Sequence, residues 1–184
     1  KPTLVNNVET LVNVLSIVKN GGAAYAALGT EGSKGRKLFC LSGAVAKPGI
    51  YEVEFGITLR QLIDLGGGMR SGSTMQAILL GGAAGGFVGP NDLDLPLTME
   101  ATRAAGSSLG SGVVMVLDQS VDMVDQLRRI AAFFRDESCG QCVPCRVGTV
   151  RQEEIVSRLA KGVQSQDIEL LRELGTVMRD ASIC

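Results

Sequence analysis

The feature that most restricts this chain is a run of three cysteines, Cys139, Cys142 and Cys145, each separated from the next by two residues. Two-residue spacing lets a loop wrap one face of a cubane iron-sulfur cluster while backbone N–H groups point at the sulfurs. Gly140 permits the tight turn that such a loop needs. A helix is predicted to begin near Pro144, so the positive end of its dipole would lie near the thiolates. The motif therefore predicts a [4Fe-4S] site.

The fourth ligand of such a cluster has to come from elsewhere in the chain. The bacterial ferredoxin pattern would next require a cysteine and then a proline, but the residues at those positions are Thr149 and Val150. Cys184 is separated from Cys145 by 38 residues, which is enough for an outgoing helix, a turn and a returning helix. We therefore expect the three cysteines of the motif and Cys184 to ligate one cluster.

Two other interpretations of these cysteines are possible. A structural four-cysteine zinc site would make the chain a non-catalytic interaction module. We favour the cluster because zinc sites more often pair two C-x-x-C units than use a three-plus-one arrangement. A disulfide framework is not expected in a cytoplasmic protein. Cys40 stands apart from the other four cysteines, and we interpret it as a small buried hydrophobic residue.

Composition excludes several classes of function. The chain has no histidine, which removes Ser-His and Cys-His catalysis, His-ligated zinc and the commonest general base. No catalytic residue is therefore assigned. The net charge is -1, without a basic patch interleaved with aromatics, so no nucleic-acid partner is expected. The apolar runs are far shorter than the roughly 20 residues that cross a bilayer. With no signal-like segment, we expect a cytoplasmic protein without membrane insertion.

The first two thirds of the sequence predict a small mixed domain. Apolar spacing predicts a helix over 8–18, and a looser segment rich in alanine and glycine follows it to Gly35. Thr58 and Gln61 form a capping box at the start of a short helix. Strands are predicted at 37–45, 50–55, 77–80 and 112–117, the first two forming a hairpin. A hairpin, a crossing helix and further strands indicate an α+β sheet of the β-grasp type.

The last third of the sequence predicts a helical bundle. The apolar period changes to 3.6 after Leu117, and Ser120 is predicted to cap the first helix. Pro144 suits the first turn of the second helix, and Ser165 begins the third. The apolar stripe of the third helix is predicted to be buried and consists of Ile168, Leu171, Leu174 and Met178.

Three sequence motifs together resemble those of the NADH-binding flavoprotein subunits, a family of redox proteins. Residues 137–148 read ESCGQCVPCRVG, the chain ends Ser182-Ile183-Cys184, and residues 5–10 read VNNVET. The family includes the flavoprotein subunit of respiratory complex I, the diaphorase subunit of NAD-linked hydrogenases and the beta subunit of NAD-dependent formate dehydrogenases. The resemblance extends over the whole chain and implies an electron-transfer portion of an NADH:acceptor oxidoreductase.

The resemblance also implies a domain layout and a set of cofactors. Residues 1–35 would be the helical tail of a missing domain for FMN and NAD(H), 36–118 a ubiquitin-like SLBB domain, and 119–184 a helical [4Fe-4S]-binding domain. The chain begins without Met and ends on a cysteine, so we expect a fragment. The expected partners are a thioredoxin-like [2Fe-2S] subunit and a larger iron-sulfur subunit.

The asparagine motif is assigned to the flavin only through this resemblance. In the family it lies against FMN, which implies that Asn6, Asn7 and Thr10 are flavin contacts. Without the resemblance, the same residues would be interpreted as a polar turn and a helix cap. A further alternative treats residues 37–117 as an independent ligand-binding β-grasp domain, although the sequence shows no convergent polar pocket there.

Overall fold

The chain folds into two units, the first ending at Gln119 and the second beginning at Ser120. The computed structural model describes residues 2–162 and 164–183. Within those residues, no helix is both long enough and apolar enough to span a membrane. The α+β fold class predicted from the sequence is confirmed, since a five-stranded sheet is followed by three helices.

The first unit opens with two helices, α1 (Val8–Asn20) and α2 (Gly22–Ala26). The predicted helix over 8–18 is confirmed. The second helix lies in the segment for which no regular structure was predicted, because five residues of alanine, glycine and tyrosine carry no clear period. Asn7 caps α1, accepting a hydrogen bond at Oδ1 from the backbone N–H of Thr10 at 3.2 Å. No residue of α1 is buried.

The sheet has the strand order β2-β1-β5-β3-β4. Strand β1 pairs antiparallel with β2 and parallel with β5, and β3 pairs antiparallel with both β5 and β4. The predicted hairpin is therefore confirmed as β1 and β2. The strands are β1 (Arg36–Gly43), β2 (Gly49–Glu54), β3 (Met75–Leu80), β4 (Gly86–Val88) and β5 (Val113–Asp118).

Strand β1 shows why the prediction for Cys40 was wrong. Exposed and buried side chains alternate along the strand, as expected where one face of a sheet packs on a core. Phe39 and Leu41 point inward and are buried. Cys40 lies between them in sequence, so its side chain points to the opposite face and is exposed.

Helix α3 (Leu59–Leu65) covers the buried face of the sheet. Thr58 and Gln61 form the predicted capping box, which is confirmed by reciprocal hydrogen bonds at 3.2 and 2.9 Å. Leu59, Leu62 and Ile63 pack against the inward side chains of the strands. These contacts give the first unit one continuous hydrophobic core.

The glycine-rich connection between β3 and β5 contains more regular structure than was predicted. It holds β4, a 3-10 helix (Pro90–Asp92) and helix α4 (Met99–Ala104). Glu100 of α4 accepts a hydrogen bond from the hydroxyl of buried Ser33 at 2.6 Å and one from Thr30 at 3.2 Å. This contact ties α4 to the segment that precedes β1.

The described residues of the second unit contain three helices, α5 (Met123–Glu137), α6 (Val143–Leu159) and α7 (Ser165–Ala181). The prediction that Ser120 caps the first helix was wrong. Asp122 is the N-cap, and its carboxylate accepts hydrogen bonds from two backbone N–H groups, those of Val124 and Asp125. Pro144 lies in the first turn of α6, as predicted.

Helices α6 and α7 approach each other closely at a glycine. A Cβ at Gly148 would overlap the side chain of Met178, so the absence of a side chain permits this contact. Near the other end of the pair, Asp167 is buried and accepts two hydrogen bonds from the guanidinium of Arg158, at 3.0 and 2.7 Å. The prediction that the apolar stripe of α7 is buried was wrong, because Ile168, Leu171, Leu174 and Met178 are all only half-buried.

Candidate metal centre

The three-cysteine motif forms the loop between α5 and α6. Cys139 is exposed, whereas Cys142 and Cys145 are partly buried. Gly140 has φ of 72°, a left-handed conformation that residues with a Cβ seldom adopt. The Gly140 carbonyl accepts a hydrogen bond from Nη1 of Arg146 at 2.7 Å. The loop is thus fixed at a glycine turn and placed at the start of α6, where free backbone N–H groups and the helix dipole favour negative charge.

Ser138 makes two contacts inside this loop. Its Oγ accepts a hydrogen bond from the backbone N–H of Gly140 at 3.3 Å. The same Oγ lies 3.3 Å from Sγ of Cys145. Because the Gly140 contact uses a lone pair of the oxygen, the hydroxyl proton is available for the sulfur.

The end of α7 returns to the motif. The backbone N–H of Ile183, followed in importance by that of Cys145, holds the pKa of the Cys142 thiol below its ordinary value. Hydrogen bonds to sulfur favour the thiolate, so these groups favour the charged form of Cys142. The predicted path of an outgoing and a returning helix is therefore confirmed as far as Ile183. Cys184, the predicted fourth ligand, lies outside the described residues.

Ser182 places a second hydroxyl near the cysteine loop, beside Cys142. Its Oγ is near enough to the Cys142 thiol to contribute to the lowered pKa. That oxygen is buried, yet it makes no hydrogen bond of acceptable geometry with any residue that the structure describes. A buried hydroxyl without a partner costs about 1–3 kcal/mol, so this oxygen needs an acceptor or donor.

The described side chains alone do not complete a metal site. Among residues 2–162 and 164–183, no three His, Cys, Asp or Glu side chains come close enough together to hold a metal ion. The four described cysteines are all free thiols, so no disulfide blocks the motif. A thiol donor set, a helix N-terminus and the unpartnered Ser182 hydroxyl together fit a group that is bound through sulfur.

The asparagine motif lies in the first unit. Asn7 and Thr10 line an open cleft together with Glu9, Arg36 and Lys37, whereas Asn6 is exposed in the segment before α1. Glu9 was not singled out from the sequence, although it lies within the motif. Its carboxylate accepts hydrogen bonds from Nζ of buried Lys37 at 3.1 Å and from the backbone N–H of Leu38 at 2.9 Å.

Two protein-family models match the chain. Residues 125–184 match the NADH-ubiquinone oxidoreductase-F iron-sulfur binding region, and residues 38–86 match the SLBB domain. The NADP-reducing hydrogenase subunit HndC of Solidesulfovibrio fructosivorans is 40% identical over 100% of this chain and 38% of its own length. The F subunit of NADH-quinone oxidoreductase in Escherichia coli is 43% identical over 95% of this chain and 40% of its own length.

The predicted resemblance to the NADH-binding flavoprotein subunits is confirmed. The chain spans about two fifths of the length of the curated relatives it matches. A chain of the crystal structure of an NAD+-reducing [NiFe]-hydrogenase in the H2-reduced state has a TM-score of 0.88 and 41% identity to it. That match covers 100% of this chain and 31% of the hydrogenase chain. The SLBB fold and the [4Fe-4S] cofactor predicted for this chain are likewise confirmed.

Sequence reasoning located the cysteines of this family motif but missed the serines beside them. Ser138 directly precedes Cys139 and Ser182 lies two residues before Cys184, and this closeness in sequence is the signal that the sequence offers. Whether such a hydroxyl reaches a sulfur depends on how the loop turns and where α7 ends, which residue identity does not reveal.

Proposed function

We propose that this chain is the electron-transfer portion of a subunit of an NADH:acceptor oxidoreductase. In this proposal Cys139, Cys142, Cys145 and Cys184 hold one [4Fe-4S] cluster. The proposal is supported by the matched iron-sulfur binding region and by relatives that are named as oxidoreductase and hydrogenase subunits. When bound, such a cluster supplies a carrier of single electrons.

The observation that carries the proposal is the return of α7 to the cysteine loop. The backbone of Ile183 lies near enough to the Cys142 thiol to lower its pKa, and Cys184 is the next residue along the chain. This proximity supports Cys184 as the remote fourth ligand.

The residues of the loop have definable tasks in this proposal. Backbone N–H groups of Ile183 and Cys145 favour the thiolate of Cys142, the form that binds iron. The guanidinium of Arg146 holds the Gly140 carbonyl, so the turn keeps its shape when the thiols lose their protons. The N-terminus of α6 adds a favourable field for the negative charge of the site.

The flavin and nucleotide functions belong to the proposal for the longer protein. FMN and NAD(H) would bind to a domain outside these residues, with Asn6, Asn7 and Thr10 as flavin contacts. The position of Asn7 and Thr10 along one cleft supports a shared role. We further propose as partners a thioredoxin-like [2Fe-2S] subunit and a larger iron-sulfur subunit, because the relatives are named as subunits.

A cytoplasmic location is part of the same proposal. Free thiols persist in reducing compartments, and the four described cysteines are all free. The location of the assembled enzyme relative to a membrane would depend on its other subunits.

The proposal can be tested by reconstituting the 184-residue chain anaerobically with iron and sulfide. We expect about four irons per chain and, after reduction with dithionite, a low-temperature EPR signal typical of a reduced [4Fe-4S] cluster. Cys184→Ser should lower the iron content and change the signal. Cys40→Ser is the matched control, because Cys40 is an exposed thiol on β1, and it should change neither.

Two results would contradict the proposal. Zinc in place of iron, with no paramagnetic signal, would make the chain a zinc-stabilised interaction module. A normal cluster in Cys184→Ser would show that the fourth ligand is a different group.

A further inference from the structure

We propose that two serine hydroxyls donate hydrogen bonds to the thiolates that hold the cluster and thereby raise its reduction potential. The Ser138 hydroxyl donates to Cys145. The Ser182 hydroxyl donates to Cys142. This inference rests on the proposed function, since both thiolates are taken to be cluster ligands.

The geometry at Ser138 fixes the direction of the first hydrogen bond. Its Oγ lies 3.3 Å from Sγ of Cys145, within reach of an O–H···S contact. The same oxygen accepts from the Gly140 N–H, which leaves the proton of the hydroxyl directed elsewhere. A thiolate bound to iron has no proton of its own and can only accept. Ser138 is therefore the donor whenever Cys145 is a ligand.

The evidence for the second hydrogen bond, from Ser182 to Cys142, is the burial of the Ser182 hydroxyl. Its Oγ is fully shielded from solvent and has no hydrogen-bond partner among the described residues. Its backbone N–H donates to the Met178 carbonyl at 3.1 Å, which holds the residue at the end of α7. A buried hydroxyl in a native protein nearly always has a partner. The thiolate of Cys142 is the acceptor that the site provides once the cluster is bound.

The effect on reduction potential follows from charge. Reduction adds one negative charge to the cluster and its thiolates, and a hydrogen-bond donor stabilises the more negative state. Hydrogen bonds to the sulfurs are among the factors that set the potential of such clusters. Loss of either hydroxyl should therefore make the reduced cluster less favourable and move the midpoint potential to a more negative value.

The test measures the midpoint potential by EPR-monitored redox titration of the reconstituted chain. We expect Ser138→Ala and Ser182→Ala each to shift the potential in the negative direction at unchanged iron content. A Thr at either position keeps the hydroxyl, so the Thr variants should have midpoint potentials close to that of the wild type. Ser165→Ala is the matched control, because Ser165 is exposed at the opposite end of α7 and should leave the potential unchanged.

A second measurement separates donation from a general disturbance of the site. In D2O, pulsed ENDOR of the reduced cluster should show exchangeable deuteron couplings, one of which disappears in each Ala variant and returns in the matching Thr variant. Unshifted potentials and unaltered deuteron couplings in Ala variants that carry a full cluster would overturn the inference. Failure of the wild-type chain to bind iron would instead overturn the proposed function.

Discussion

The two units differ in how much apolar surface they remove from water. The first unit has a continuous core in which strands and α3 bury side chains such as Phe39 and Leu62 completely. In the described part of the second unit, the buried apolar residues are Ala131, Ile155 and Val156. Small domains with so little core commonly obtain their stability from a metal or a disulfide. The difference indicates that the first unit is stable through its own packing, whereas the second depends on what its cysteines bind.

Removing the cluster should produce the largest effect, and only in the second unit. We expect amide protons in α5, α6 and α7 to exchange roughly 100-fold faster or more after anaerobic removal of iron, since metal binding contributes directly to folding in such units. Amides of β1, β3 and β5 should keep their protection. Hydrogen exchange followed by mass spectrometry of peptides from both units would measure this. Equal protection of the helices before and after iron removal would contradict the comparison.

A substitution in the core of the sheet should destabilise the first unit and leave the second unit unchanged. Phe39→Ala should lower the free energy of unfolding of the first unit by about 3–5 kcal/mol, because Phe39 is completely buried. Urea unfolding monitored by circular dichroism would measure the loss. The EPR signal of the cluster should not change.

The neighbouring residue supplies the control for that experiment. Leu38 is on the same strand but is 45% exposed, so Leu38→Ala should alter stability by no more than about 0.5 kcal/mol. Similar losses for the two variants would show that the core does not determine the stability of the first unit.

Gly148→Ala should destabilise the second unit by about 1–2 kcal/mol. The added methyl group would overlap Met178, and overpacking outweighs the gain in helix propensity. Gly175→Ala is the matched control on α7, because a Cβ there would meet nothing within 4 Å and should stabilise the helix by up to about 1 kcal/mol. Thermal unfolding of the iron-loaded chain would compare them. Stabilisation by both substitutions would mean that the Met178 side chain moves away from the added methyl group at little cost.

The smallest expected effect is a change in how the stability of the first unit depends on pH in the acid range. The Ser33 hydroxyl, together with other hydrogen bonds, lowers the pKa of the Glu100 carboxyl. A lowered pKa contributes stability that is complete above the ordinary value, about pH 4.3, and is lost as the pH falls through the lowered value. Glu100→Gln should therefore reduce the loss of stability that occurs as the pH falls below about 4.3. Parallel pH series of the wild type and the variant would test this.

The sequence was sufficient for those parts of the fold that depend on local patterns. The hairpin, the Thr58 capping box and the start of α6 at Pro144 all follow from residue types at fixed spacings. Where two residues suited one task, the sequence did not decide between them. Ser120 and Asp122 are both good N-caps, and the one that lies directly before the first helical turn can be identified only from the backbone.

The rest of the site depends on contacts between segments distant in sequence. Cys40 was interpreted as buried because free cysteines usually are, but the register of β1 places its side chain on the outer face. The hydroxyl of Ser182 lies near Cys142 only because α7 ends where it does. The pairing of Glu9 with Lys37 joins residues 28 positions apart, which no local pattern encodes.

That pairing has a consequence for the start of the chain. Both carboxylate oxygens of Glu9 are engaged by β1, one by the Lys37 ammonium and one by the Leu38 N–H. An α-helix turns about 100° and rises about 1.5 Å per residue. A slip of α1 by a single residue would therefore swing the carboxylate away from the strand and break both hydrogen bonds at once. Glu9 thus sets the rotational phase of α1, so that Asn7 and Thr10 keep one orientation relative to the sheet although no residue of the helix is buried.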